Sequence, residues 1–342
     1  MNKKIIIIII VLMIIGGLFA YNIYSKIYNS NVKETSFIYI PTGAEFTDIQ
    51  ELIKPYLNNS ESFIWVAKKK NYPNKIRPGK FKIKKGMSND ALVDHLRGGK
   101  AETVKLTFNN QDSFEKLAGR IALQIEADSI SILNAMKATD FLDQSEFNEQ
   151  TSLAMYIPNS YDFYWNTSAS QFRERMLKEY KNYWNNDRVK RAKQKNLTPI
   201  QVVTLAAIVQ KETSQVNERP KVAGLYLNRL NDNWPLQADP TIIYALKQKY
   251  GQDSTFRRVL NKDLRINSPY NTYKNIGLPP GPIAMPDISS IEAVLNSKNH
   301  TYYYMCASVT DIGKHEFART LSEHNKNARK YQKWINEQGI KR

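Results

Sequence analysis

The sequence predicts an α+β protein in three parts: an N-terminal transmembrane helix, a small α/β module and a larger mixed α+β domain. Three observations predict it. Residues 5–21 carry no charge and form a run long enough to cross a bilayer. Short alternating strands bracket short helices between residues 36 and 108. Beyond residue 109 helical periodicity dominates, broken by Pro- and Gly-bearing loops and a late hairpin pattern. The expected divisions are residues 1–25, 36–108, 109–195 as a helical connecting region, and 196–342.

The 342 residues suit two or three modest domains. Forty-nine basic against 32 acidic residues give a formal charge of +17, which calls for an anionic partner: nucleic acid, a membrane surface or an acidic polymer. Cys306 is the single cysteine, so an intramolecular disulfide and a thiolate zinc site are excluded. His95, His300, His315 and His324 show no HExxH-type pairing, and neither a metal nor a cofactor is expected.

Lys3 and Lys4 precede the apolar run and the next charge is Lys26, so the positive-inside rule puts the N-terminus in the cytoplasm and the rest outside. An uncleaved anchor is expected. Ala20 offers a cleavage position, but Leu18 at −3 is larger than the residue usual there. Export turns the positive charge away from nucleic acid and toward lipid head groups and cell-wall polymers. Residues 22–35 read as a polar linker.

In the module, residues 37–40 are a strand, Pro41-Thr42-Gly43 a turn, and Thr47 the N-cap of a helix running to Tyr56. A second helix follows over residues 60–70. Arg77-Pro78-Gly79 turns into an alternating strand through Ile83; Ser88 caps a helix that Gly98-Gly99 ends, and residues 104–108 are a further strand. The strand–helix–helix–strand order suits a plain spacer or a LysM-type glycan binder.

Residues 114–125 and 130–136 read as helices without visible chemistry. Residues 155–165 gather aromatic and apolar side chains around Pro158, a pattern of core packing or of a sugar-stacking face. A basic, Asn-rich helix spans residues 171–195. The next helix is the most strongly signalled: Thr198 as N-cap, Pro199 at its first position and Gln201 completing a capping box. On it Leu205 and Ile208 lie within ~40° of Glu212, and Val209 within ~60°. A carboxylate on that apolar side, at the negative end of the helix dipole, favours its protonated form and suits a general acid. The helix alone equally admits a solvated or paired glutamate in a last turn.

Asn228 and Arg229 ride on a following helix with Val222, Leu225, Tyr226 and Leu230. Asp239 reads as the N-cap of another, with Pro240 at its first position. Ser268-Pro269-Tyr270-Asn271-Thr272-Tyr273 and Gly277-Leu278-Pro279-Pro280-Gly281-Pro282-Ile283 are two ordered loops that suggest a lined cleft. Asp287 caps a short helix, residues 301–308 and 315–317 form a hairpin, and Ser322 opens a basic C-terminal helix.

Six motifs in order, Gln210-Lys211-Glu212-Thr213, Asn228-Arg229-Leu230, Leu236-Gln237-Ala238-Asp239-Pro240-Thr241, Tyr270-Asn271-Thr272-Tyr273, the double-proline loop and His324-Asn325, resemble the endolytic murein transglycosylases, the MltG/YceG-like family. Arg77-Pro78-Gly79 matches the family's LysM-like segment. The resemblance implies a single-pass protein of the bacterial inner (cytoplasmic) membrane, with an exported catalytic domain over 196–342 that cuts nascent peptidoglycan strands. It implies peptidoglycan synthases (penicillin-binding proteins) as partners and Glu212 as catalytic acid/base. Gln210 stands where the family has a first glutamate, and Leu153-Ala154 where it has an acidic-Gly pair.

On that reading Glu212 protonates the glycosidic oxygen between N-acetylmuramic acid and N-acetylglucosamine, and its carboxylate then takes the muramyl C6 hydroxyl proton as a 1,6-anhydro ring closes. Asn228, Gln237, Asp239, Tyr270, Asn271, Thr272 and Tyr273 are the expected substrate-binding residues. A hydrolase using Glu212 with Asp239 is the nearest chemical alternative. A non-catalytic, membrane-anchored peptidoglycan-binding scaffold is the alternative of another class.

Overall fold

The computed structural model describes residues 3–256 and 258–338. Residues 1–2 of the expected anchor, and Arg257 and residues 339–342 of the expected C-terminal domain, lie outside the described residues. The architecture is mixed α+β in two compact units, one of Met1–Leu106, Leu123–Ala127 and Tyr161–Ser168, the other of Thr107–Ala122, Asp128–Ser160 and Ala169–Arg342.

The first unit contains α1 (Lys3–Tyr28), β1 (Ser36–Ile40), α2 (Phe46–Ile53), α3 (Ser60–Lys69), β2 (Gly79–Ile83), α4 (Asn89–Gly98) and most of β3 (Thr103–Phe108). Helix α1 is long and apolar enough to be a membrane span or a signal sequence. It also runs through residues 22–28, expected as linker. The polar composition there reflects packing rather than disorder: the end of α1 lies against α3 and α4, and Asn89 Nδ2 donates to the Lys26 carbonyl at 2.8 Å, satisfying a helix-end acceptor. Asn89 is itself buried and accepts from Asn31 Nδ2 at 2.7 Å.

Strands β1 and β2 pair antiparallel, Ser36 opposite Ile83 and Ile40 opposite Gly79. Their alternation turns Ile38, Ile40, Phe81 and Ile83 inward onto Ile49, Ile53, Phe63, Leu92 and Leu96. Each such side chain contributes ~1.5–3 kcal/mol relative to exposure. Helix α2 starts two residues before the position Thr47 implies, because Glu45 is the N-cap and forms a reciprocal box with Asp48 that satisfies two orphan donors. Ser88 caps α4 as its sequence predicts, accepting from the Ala91 amide.

The second unit holds α5 (Phe114–Ala122), α6 (Ser129–Lys137), α7 (Thr139–Gln144), α8 (Ala169–Tyr183), α9 (Asn186–Gln194), α10 (Pro199–Glu212), α11 (Arg219–Asn231), α12 (Asp239–Tyr250), α13 (Ile288–Leu295), β5 (Tyr304–Ala307), β6 (His315–Ala318) and α14 (Leu321–Glu337). The aromatic stretch read as core packing or a sugar-stacking face contains strand β4 (Asn159–Tyr164), which pairs with β3 and falls mostly in the first unit; Tyr156, Ile157 and Phe163 beside and within it are buried. The basic helix expected over residues 171–195 is two helices. Asn185 breaks it by capping α9, accepting from the Arg188 amide at 3.0 Å.

Helix α10 is the centre of this unit. Residues 202–209 are all buried, so the apolar stripe is in fact the whole circumference, enclosed by α9, α11, α12 and α13. Its capping box forms as predicted, Thr198 N donating to Gln201 Oε1 at 2.8 Å and Gln201 N to Thr198 Oγ1 at 3.3 Å. The next helix, α11, lets another segment approach closely at Gly224, where a Cβ would lie 2.3 Å from the Lys298 carbonyl oxygen. Asn228 Nδ2 holds the same incoming segment by donating to the carbonyls of His300 and Tyr302 at 2.8 and 3.0 Å. The segment then forms the antiparallel hairpin β5–β6, with Tyr304 opposite Ala318 and Ala307 opposite His315. Helix α14 packs on that hairpin and is capped by Thr320 in a box with Glu323, not by Ser322.

Candidate active site

Glu212 is the last residue of α10, where buried packing stops and the chain turns away through Thr213. The residue is half-buried, but its carboxyl is enclosed by protein and lines a cavity of about 240 Å³ with Leu225, Tyr226, Arg229, Gln237, Asp239, Tyr273, Met305, Cys306, Ala307 and His315. A second cavity, of about 500 Å³, shares part of this lining and is bounded by Glu212, Ala307, His315, Gly313, Tyr331 and Trp334 among others. Glu212, Ala307 and His315 therefore line both cavities.

Helix α11 brings Leu225, Tyr226 and Arg229 to the cavity from one face, as spacings of three and four residues require. Tyr226 Oη donates to Glu212 Oε1 at 2.6 Å. Burial pushes the Glu212 carboxyl up to about 7, with the negative charge of Asp239 adding to the rise; the Tyr226 hydrogen bond and the charges of His315 and Arg229 hold it down. Burial wins, so near neutral pH the group exists in both protonation states. Burial also lowers the Arg229 pKa and raises those of Tyr226 and Tyr273.

Asp239 departs from its expected role. Ala238 is the N-cap of α12 and Asp239 its first residue, and Thr241 Oγ1 donates to the Ala238 carbonyl at 2.7 Å. The Asp239 carboxylate is thereby released to the cavity, where it accepts from Tyr273 Oη at 2.6 Å. Gln237 lines the same cavity from a left-handed backbone conformation, φ 51°, with its amide bonded to the Thr272 carbonyl at 3.0 Å.

Of the residues expected at the site, the structure thus brings Glu212, Gln237, Asp239 and Tyr273 together. Asn228 is placed on the incoming hairpin segment, as described above. Asn271 is fully buried, donating to the Leu264 and Ile266 carbonyls and accepting from the Tyr273 amide. Thr272 is buried between Ala238 N and Thr241 Oγ1. Both fix the loop that presents Tyr273. Tyr270 sits elsewhere: with Tyr244, whose ring centroid is 4.6 Å away, it lines a separate cavity of about 400 Å³ that includes Glu115, Glu149 and Gln248.

Sequence reasoning missed Tyr226, Arg229 and His315 as cavity residues, and Glu218 behind them. Glu218 is buried and accepts from Thr213 Oγ1 at 2.9 Å, His315 N at 2.7 Å and His315 Nδ1 at 2.8 Å. Thr213, the last residue of the Gln-Lys-Glu-Thr motif, is thus an anchor for that carboxylate. Gln210, where the family pattern has glutamate, faces away from the cavity group: its Oε1 accepts from Asp287 N at 2.6 Å and Ser290 Oγ at 2.9 Å, so Asp287 heads α13 through its backbone and not its side chain. His324 stacks on Tyr304 with ring centroids 5.4 Å apart. Among the described residues no group of three or more His, Cys, Asp or Glu side chains could hold a metal ion.

Residues 38–330 match the family model described as YceG-like family. A Bacillus subtilis protein named endolytic murein transglycosylase is 31% identical over 338 residues, covering 93% of this chain and 91% of that protein. A Streptococcus pneumoniae protein of the same name is 29% identical; the match covers 92% of this chain but only 62% of that longer relative. A crystal structure of a YceG-like protein from Listeria monocytogenes superposes with a TM-score of 0.56 at 28% identity, over 86% of this chain and 98% of the other. The chain belongs to the YceG-like family.

Proposed function

We propose that this chain is an endolytic lytic transglycosylase, a carbon–oxygen lyase that cuts the bond between N-acetylmuramic acid and N-acetylglucosamine inside nascent peptidoglycan strands and so ends their elongation. The observation that carries the reading is the Glu212 carboxyl, enclosed, with its pKa raised to about 7 and lining two cavities. An internal cut needs room for sugar beyond a single residue, and the two cavities that share Glu212 in their lining favour such a substrate.

Protonated Glu212 gives its proton to the glycosidic oxygen as the muramyl C1–O bond breaks. The substrate's acetamido group and the polar wall stabilise the oxocarbenium-like centre. The muramyl C6 hydroxyl then closes onto C1, losing its proton to a base, and the carboxylate left on Glu212 is the simplest one. Gln237, Asp239 and Tyr273 line the cavity that receives the sugar, and position it. Asn228, Asn271 and Thr272 serve by holding the segments that carry the cavity wall, and Tyr270 by binding a more distant part of the substrate.

Helix α1 serves as an uncleaved single-pass anchor in the bacterial inner membrane, with both units exported. The first unit acts as a LysM-like glycan-binding module, and the peptidoglycan synthases that make the substrate strands are the partners. Uncross-linked strands digested with the protein, followed by mass spectrometry of the ends, test the reading. Products without added water, bearing 1,6-anhydromuramyl ends, are expected. Products heavier by one water make the protein a hydrolase with Asp239 as second carboxylate, and unshortened strands make it a binding scaffold.

The acid step needs the protonated carboxyl, so strand cleavage is expected to fall as pH rises through about 7. Tyr226→Phe removes the hydrogen bond that favours the ionised form, which raises the carboxyl pKa further. The alkaline limb of the pH–rate profile should therefore move to higher pH in that variant; a limb that stays put or moves down would sink this account of Glu212.

A further inference from the structure

We propose that His315, held by Glu218, is the base for the second half of this reaction, taking the proton of the muramyl C6 hydroxyl while Glu212 serves as the acid of the first half. The inference rests on the transglycosylase reading and deepens it.

Glu218 is buried beside His315. Its two oxygens accept from the Thr213 hydroxyl, the His315 backbone amide and His315 Nδ1, the last at 2.8 Å. A buried carboxylate receiving a ring nitrogen at that distance fixes the proton on Nδ1, so in the neutral ring Nε2 carries the lone pair. Nε2 has no hydrogen-bond partner among the described residues and is not among their enclosed, unpaired atoms. His315 lines both cavities that Glu212 lines. A proton donor, protonated Glu212, and a residue with a free acceptor, His315 through Nε2, thus share the lining of the same two cavities. Asp239, Arg229, Tyr226, Tyr273 and Cys306 are the other charged or titratable groups of the smaller cavity, and Tyr226 Oη is already engaged with Glu212. Asp239 is already engaged by Tyr273 Oη, and Arg229 is spent on backbone carbonyls.

The proton inventory closes. The Glu212 proton goes to the leaving oxygen of N-acetylglucosamine as C1–O breaks. The C6 oxygen bonds C1 as its proton passes to Nε2, and the imidazolium is stabilised by Glu218. The imidazolium then returns a proton to the Glu212 carboxylate through solvent, which restores both groups. A dedicated base also favours ring closure over attack by water, because it acts on the sugar hydroxyl.

The test uses the full-length protein in detergent with uncross-linked glycan strands, comparing wild type, His315→Ala and Glu218→Gln. For His315→Ala the expected result is a fall in cleavage of about 10²-fold, with the remaining ends shifted from anhydromuramyl to reducing, water-added muramyl, and with activity partly restored by added imidazole. Glu218→Gln should show a smaller fall and the same shift in end groups. A purely structural role moves neither the product ratio nor the imidazole response. The inference is overturned if His315→Ala keeps the wild-type rate, if its residual products are all anhydro, or if it is inactive and imidazole does not restore it. Wild type giving no anhydro ends would instead refute the transglycosylase reading, so the two failures are distinct.

Discussion

Glu212→Gln is expected to lose at least about 10³-fold in strand cleavage while making the folded protein more stable at alkaline pH. Both effects come from one carboxyl. Its folded pKa of about 7 exceeds the ordinary 4.5 because burial penalises the charged form. Below pH 4.5 the group is protonated folded and unfolded, and its contribution is fully present. Between 4.5 and 7 the unfolded chain loses the proton and the folded one keeps it, so stability falls as pH rises, levelling off above 7. The whole decline amounts to about 3 kcal/mol. Glutamine does not titrate, keeps an oxygen for the Tyr226 hydroxyl and escapes the decline. The variant's melting temperature should match wild type near pH 4.5 and exceed it by several degrees at pH 8. A dead enzyme that is also less stable at pH 8 would mean that the carboxyl is not held against burial. A Gln variant that still cleaves strands would remove Glu212 from the chemistry.

The parts of this site legible in the sequence are those written in local patterns. Thr198, Pro199 and Gln201 set the start of α10, and with the start set, the helical period delivers Glu212 to its buried end. Asp239 shows the limit of such patterns. An Asp-Pro pair reads as cap and first position, yet Ala238 holds the cap position with its amide bonded to the buried Thr272 Oγ1, a distant contact that local sequence does not encode. Loops carry no period, so nothing told Tyr270 from Tyr273, and they line different cavities. The Glu218–His315 pair joins residues 97 apart in the chain, the N-cap of α11 and the first residue of β6, a contact no local pattern encodes. Residues 22–28 erred the other way: their polar composition hid a helix that the buried Asn89 prolongs.

Arg229→Met is expected to cost the second unit about 2–6 kcal/mol, ~1–3 for each carbonyl that loses its donor, and to lower cleavage with it. The guanidinium is buried; Nε donates to the Tyr303 carbonyl at 2.8 Å and Nη1 to the Leu236 carbonyl, while the cation lies 5.8 Å from the Trp234 ring centroid and 5.9 Å from that of Tyr304. Methionine fills the volume but leaves both carbonyls without donors, and an unpaired buried acceptor alone costs ~1–3 kcal/mol. Those two carbonyls belong to the residues just before Gln237 and just before β5, so releasing them loosens two walls of the Glu212 cavity at once. Arg229→Lys keeps the charge but lacks the fork that reaches both acceptors, and should fall between wild type and Met. Urea unfolding followed by the Trp234 environment, with cleavage assayed in parallel, reads both effects. Unfolding of the Met variant within about 1 kcal/mol of wild type would show that the guanidinium is not the tie between these walls.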